Sequence, residues 1–161
     1  MFTKIKPYIL PYSVAVAVPL SVGLLSAFLT KDNMSLYSEI ITPPLSPPAW
    51  LFPIVWSILY VLMGISSCMV YLHRENNQAA ARQGFSYYAM SLILNFAWSI
   101  IFFNFRVFRF AFVCILILLY LIIRTVLEYR KCYALAAYLQ IPYALWVCFA
   151  GYLNLAISIL N

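Results

Sequence analysis

The side chains of this 161-residue chain that could do chemistry are mostly aromatic rings carrying one polar atom. Four tryptophans and 13 tyrosines stand against four carboxylates and a single histidine. On helices, Pro53, Trp56, Tyr60 and Gly64 share one face. Tyr88, Ser91, Asn95, Trp98 and Phe102 share a second, and Tyr143, Trp146, Ala150 and Asn154 a third. Such faces can converge on a cavity for a flat, largely apolar ligand: indole and phenol rings stack on it, while Asn95, Asn154 and the indole N–H groups orient it. They can equally pack as core, or form interfacial belts near helix ends. Asn95 raises the cavity reading, because an amide buried in an apolar span is costly without a partner. A hydrogen bond to a neighbouring helix would also satisfy it.

Acid–base machinery is sparse. Asp32, Glu39 and Glu75 fall between apolar runs, and Glu128 sits one turn from Arg124, where a salt bridge is the simpler role. His73 lies beside Arg74 at a helix end and reads as a rim residue. No four-ligand metal set, Gly-rich phosphate loop or nucleophile elbow is present, so no metal is expected. Cys68, Cys114, Cys132 and Cys148 are isolated from one another and read as free thiols packed like small hydrophobes.

The elements that must position these residues are membrane spans. Hydrophobic residues make up 66% of the chain and charged ones 9%, where a soluble domain carries about 25% charged. The mean hydropathy is +0.94. With about 20 residues needed per crossing, the apolar runs predict an all-α integral membrane bundle of five transmembrane helices in one domain. The spans fall at about 7–30, 49–72, 84–105, 108–129 and 133–159. The stretch after Lys4 and Lys6 continues to Leu29 without a cleavage site and reads as the first span.

The net charge of +6 is placed between the runs, where it sets topology; no nucleic-acid partner is expected. Lys4, Lys6, Arg74, Arg82, Arg130 and Lys131 lie on the N-terminal side, and Lys31, Arg106 and Arg109 on the other, which places the N-terminus in the cytoplasm. Short connections after the second, third and fourth spans predict antiparallel neighbours. The first connection, residues 31–48, carries Pro43-Pro44 and Pro47-Pro48 and should be a stiff, extended strap, either a lid across the bundle mouth or a spacer into the next helix. Ser13, Ala17 and Ser21 form a small-residue stripe on the first span that would allow close helix approach.

Three ordered motifs then carry a resemblance over nearly the whole chain. They are Tyr37, Pro43-Pro44, Pro47-Pro48, Trp50, Phe52-Pro53, Trp56 and Tyr60; Asn95, Trp98 and Phe102-Phe103; and Pro142-Tyr143, Trp146, Phe149 and Leu153-Asn154. Together they resemble the translocator protein (tryptophan-rich sensory protein, TspO/MBR) family. The resemblance implies a homodimeric five-helix bundle whose cavity beneath the first long loop binds porphyrins such as protoporphyrin IX and, in some members, haem, cholesterol or synthetic ligands. No cofactor is required; the porphyrin is a ligand. Bacterial members of the family look like stress or light-response regulators of tetrapyrrole metabolism, which implies a bacterial plasma membrane.

By position, Trp56 and Trp146 match the tryptophans set against the tetrapyrrole, Asn95 and Trp98 the third-helix cavity pair, and Tyr37 and Trp50 the loop and helix-start positions. Leu45 stands where many members have tryptophan, and Cys114 where many have aspartate. Asn161 comes without the Tyr then Lys or Arg of the sterol pattern, so cholesterol is not an expected ligand.

The expected function is a membrane ligand-binding regulator holding a porphyrin among Tyr37, Trp50, Trp56, Tyr60, Asn95, Trp98, Tyr143, Trp146 and Asn154. The alternative is a light-dependent porphyrin-degrading enzyme in which Trp56 and Trp146 pass an electron. A transporter comes third, because the chain lacks inverted repeats and buried intramembrane charges.

Overall fold

Apolar runs in lipid must pair their own backbone groups, and helices do so within one segment. A computed structural model describes residues 6–161; Lys4 lies outside them. The helices are α1 (Lys6–Thr30), a short α2 (Leu36–Glu39), α3 (Leu51–Leu72), α4 (Gln78–Ser99), α5 (Phe108–Cys132) and α6 (Ala134–Leu160). All but α2 belong to five segments long and apolar enough to cross a membrane.

The helix of the third span, α4, begins several residues before its apolar run. Asn77 caps it, its side-chain oxygen accepting from Ala80 N–H at 3.1 Å, and the alanines that follow are good helix formers. Hydropathy marks the part that meets hydrocarbon, whereas the cap marks where the helix starts. At its far end α4 passes into a π-helical turn, Ile100–Asn104, closed by Phe105 N–H on Ile100 C=O at 3.1 Å.

Around the bundle α1 packs on α3, α3 on α6, α6 on α5, α5 on α4, and α4 more lightly back on α1. The short 73–77 link does not make α3 and α4 flanking neighbours, contrary to expectation. They meet only sparingly, because α1 and α6 occupy the two flanks of α3. Glycine permits the α1–α3 approach: a Cβ on Gly64 would lie 2.7 Å from Ala15 C=O and 2.8 Å from Val16 Cγ2. Between α3 and α6, Ser66 Oγ donates to Ala136 C=O at 2.7 Å and Gln140 Nε2 donates to Ser66 Oγ at 3.2 Å, so these polar groups are satisfied across the helix pair.

Contrary to the expectation of no buried charge in a span, Glu128 is buried near the end of α5, where it pairs with Lys131 at 2.8 Å and, more loosely, with Arg124 at 3.6 Å. His73 stacks on Tyr133, 4.0 Å between centroids, and its Nδ1 lies 2.9 Å from Met69 C=O, so it closes a helix end. Cys68, Cys114 and Cys132 are buried, Cys148 is exposed, and all are free.

The first half of the 31–48 strap is helical, a 3-10 turn Lys31–Asn33 and then α2, contrary to the extended strap expected from its prolines, which all lie in the second half. The strap lies across the end of the bundle. Leu36, 1% exposed, plugs into a cluster with Phe102, Ala111 and Ile157. Asn161 clasps the strap backbone from both sides, accepting from Ile41 N–H at 2.9 Å and donating to Ile41 C=O at 3.0 Å. Tyr152 OH donates to Pro44 C=O at 2.9 Å, and Arg106 pairs with Glu39 at 3.3 Å. Leu45 sits in the left-handed region (φ 69°) with its side chain 81% exposed, pointing away from the bundle. Asn161→Ala is expected to speed amide exchange at Ile41 and over α2 roughly tenfold, the worth of about one net hydrogen bond. Hydrogen exchange read by mass spectrometry checks this.

Candidate ligand cavity

Beneath the strap the bundle is hollow. A space of about 260 Å³ opens between α1, α3, α4, α6 and the strap residues Met34 and Tyr37. Its walls are largely rings: Phe52 and Trp56 from α3, Trp98 from α4, Phe102 and Phe103 from the π turn. Tyr60 forms the floor. No charged side chain lines it among the described residues.

Three of the wall hydroxyls are already engaged, whereas the buried Tyr37 hydroxyl has no partner among the described residues. Thr30 Oγ1 donates to Ser26 C=O at 2.9 Å, Ser57 Oγ to Pro53 C=O at 2.7 Å and Ser99 Oγ to Asn95 C=O at 3.4 Å. Asn154 is engaged at both ends, accepting from Trp98 Nε1 at 3.0 Å and donating to Phe108 C=O at 2.9 Å. That pair of bonds fixes the Trp98 ring against the wall. The cavity therefore offers mainly ring faces and aliphatic surface, with the Tyr37 hydroxyl at the strap end left to hydrogen-bond a ligand.

Trp56 stacks on Tyr60, 5.6 Å between centroids at 30°, and meets Tyr143 edge-on at 6.1 Å. Tyr60 can lie flat there because α1 presents Gly23, where a Cβ would come within 2.8 Å of Tyr60 Cδ2. Below the floor, Asn95 Nδ2 donates to Tyr60 OH at 2.9 Å. The Asn95 Oδ1, Tyr88 OH and Tyr143 OH atoms, all buried, find no partner among the described residues. The amide thus bonds a neighbouring helix through its nitrogen only. Tyr60→Phe is expected to cost about 1–3 kcal/mol, because it leaves the buried Asn95 amide without its partner. Asn95→Leu on that background should recover part of the loss, read as thermal midpoints in detergent.

Of the nine residues expected from spacing and from the resemblance, Tyr37, Trp56, Tyr60, Trp98 and Asn154 line the cavity. The other four do not. Asn95 lies one layer below the floor, bonded to Tyr60. Tyr143, 1% exposed, stands behind Trp56. Trp146 stands behind Phe52, 5.8 Å away edge-on, and lines an outward groove of about 430 Å³ between α3 and α6. Trp50 is 66% exposed at the start of α3.

For Asn95 the reason is depth, and for Tyr143 and Trp146 it is the ring that stands in front of each. Helical spacing assigns a face but no height, and the cavity occupies only the strap-side end of that face. Cys114, buried in α5, is not on the wall either, so its departure from the common aspartate removes no contact of this cavity. Spacing missed the walls given by Gly23, Met34, Phe52, Leu153 and Ile157. Phe52 was within reach, standing four residues before Trp56 on the same helical face. The small and aliphatic residues carry no chemical signal.

A model of the TspO/MBR family matches residues 15–160. The tryptophan-rich protein TspO of Chlorobaculum tepidum is 34% identical over 154 residues, covering 95% of this chain and 97% of that protein. The translocator protein of Bos taurus is 32% identical over 133 residues, 82% of this chain and 79% of that protein. The tryptophan-rich sensory protein of Cereibacter sphaeroides is 28% identical over 152 residues, 94% and 90% of the two chains.

Proposed function

The chain belongs to the TspO/MBR family and is a multi-pass membrane protein, and from that premise we propose that it binds a flat, porphyrin-like molecule in the cavity beneath the strap as a membrane ligand-binding regulator. The observation that carries this reading is an uncharged cavity lined by several rings, in which Trp98 is held by its bond to Asn154 and Trp56 stacks on Tyr60. Aromatic faces favour offset stacking on a planar conjugated ligand, at about 0.5–1.5 kcal/mol per pair beyond area burial.

Carboxylates such as porphyrin propionates find no cation on the wall, so they stay at the strap end, near the Tyr37 hydroxyl and on the side of Lys31 and Arg109. The N-terminus is cytoplasmic in this reading, following the basic residues at the opposite end of the bundle, in a bacterial plasma membrane. At about 260 Å³ the space falls just below the roughly 300–1,000 Å³ of ordinary ligand pockets. A macrocycle therefore enters only as wall or strap side chains give way.

The test is a titration of the purified, vesicle-reconstituted protein with protoporphyrin IX. Saturable quenching of tryptophan emission is expected, with a stoichiometry near one per chain. Quenching that rises linearly, as it does for free tryptophan in the same vesicles, would remove the reading.

A further inference from the structure

The cavity has a second side, and its walls point to the bilayer. Gly64 marks the face of α3 that touches α1, through Ala15 and Val16. Ser57 and Pro53 lie on that same face, within roughly 20° of Gly64 by helical rotation. On α1, Ala27 lies within roughly 20° of Val16 by the same geometry, so it belongs to the face turned toward α3. In a closed seam these residues would bury one another. Instead Ala27, Pro53 and Ser57 are all exposed, and all three also line the cavity. Leu24 lines the cavity too and is 71% exposed. The helices that touch at Gly64 therefore leave a gap at the level of the cavity.

The local chemistry accounts for the gap. Pro19 stands in α1 between the contact at Val16 and the cavity residues; it supplies no N–H to Ala15 C=O, and helices bend at such sites. The facing side chains are small, and the one hydroxyl, on Ser57, is bonded back to Pro53 C=O. The rim is thus an apolar opening within two turns of the strap-side ends of α1 and α3, inside segments apolar enough to cross a membrane. The strap end is held by the Asn161 clasp, the Tyr152 bond and the Arg106–Glu39 pair.

We propose that the α1–α3 seam, rimmed by Leu24, Ala27, Pro53 and Ser57, is a lateral portal through which small lipophilic molecules pass between the bilayer and the cavity. The portal rests on the reading that the cavity takes a ligand, and it adds the ligand's route and class: a molecule that partitions into the membrane before it binds. It also gives a macrocycle larger than the enclosed space somewhere to protrude.

A phenyl diazirine dissolved in vesicles that hold the full chain tests this without porphyrin. On photolysis it inserts into residues it can reach from the lipid, and peptide mapping locates the adducts. Labelling of Trp56 and Phe102 is expected alongside the outward Leu116 and Tyr120. Ala27→Trp should cut the inner labelling about fivefold or more by obstructing the gap, and Leu24→Ala should raise it about twofold, while Asn161→Ala leaves it unchanged.

Leu24→Ala, a truncation at an exposed site, carries the test if Ala27→Trp does not fold. Absence of inner labelling in the wild type overturns the portal. So does inner labelling that follows Asn161→Ala and ignores Leu24→Ala, since entry would then be through the strap. Inner labelling that follows the rim variants in a protein that protoporphyrin IX does not quench supports the portal and removes only the porphyrin reading.

Discussion

Gly64→Val is expected to lower the thermal midpoint in detergent by roughly 6–10 °C, from an overpacking cost of about 2–3 kcal/mol in a chain of this size. The force of the expectation lies in what the new side chain meets. A Cβ at Gly64 would lie 2.7 Å from Ala15 C=O, and its other near neighbours belong to Val16, including that residue's backbone. Backbone has no rotamer to change, so α1 itself must move away from α3.

The matched control is Gly151→Ala. There the nearest atom is Ile115 Cγ2 at 3.2 Å, the end of a side chain that can yield by a few tenths of an ångström. Its midpoint should stay within about 2 °C of wild type, a change of no more than about 1 kcal/mol. Equal midpoints for Gly64→Val and wild type would show that the α1–α3 contact is looser than described. Moving α1 also moves Gly23 and Ala27, so the same variant should disturb the cavity and its rim.

The second large effect separates the two tryptophans that the motifs treat alike. Trp56→Ala removes a wall ring and uncovers Tyr60 and Tyr143, and should weaken protoporphyrin IX binding about 30-fold, the roughly 2 kcal/mol of a buried aromatic anchor. Trp146→Phe should leave affinity within about threefold, because that ring reaches the cavity only through Phe52 and the substitution keeps an aromatic there. Fluorescence titration of both variants, supported by competition with an absorbing porphyrin, reads the two constants. A large loss for Trp146→Phe together with a small one for Trp56→Ala would mean that the ligand lies in the outward α3–α6 groove, and the cavity assignment would fall.

The helical stripes of α3, α4 and α6 were legible from spacing alone, and so were the five spans, because both depend on local repetition: 3.6 residues per turn and about 20 apolar residues per crossing. The family was legible from where prolines and tryptophans recur. The ring order was not. A short link between α3 and α4 suggests adjacency, yet α1 and α6 take the flanks of α3, and nothing in the 73–77 segment records that choice. The pairing of Glu128 shows the same limit on a smaller scale. Spacing pointed to Arg124, but Lys131, three residues on, holds the carboxylate more closely.

The site divides along the same line. Trp56, Tyr60, Trp98 and Asn154 occupy faces that periodicity identifies, and they meet in the cavity because those faces turn inward at the strap end. Asn95, Tyr143 and Trp146 occupy the same faces at other heights or behind other rings. Whether a residue walls a space or supports the residue that does is a property of helix offset and neighbouring side chains, which no single helix encodes.

By itself the sequence determined the solvent, the number of crossings, the family and which faces carry the rings, all of them consequences of hydropathy, period and local turn chemistry. Only the tertiary structure decided how deep the hollow reaches, which end of the bundle it opens at, and that the strap is held down by Asn161, Tyr152 and Arg106. It also decided that the α1–α3 seam parts beside the cavity. These are outcomes of helices meeting at contacts such as Gly64 and diverging beyond them, and the positions that set them lie far apart along the chain.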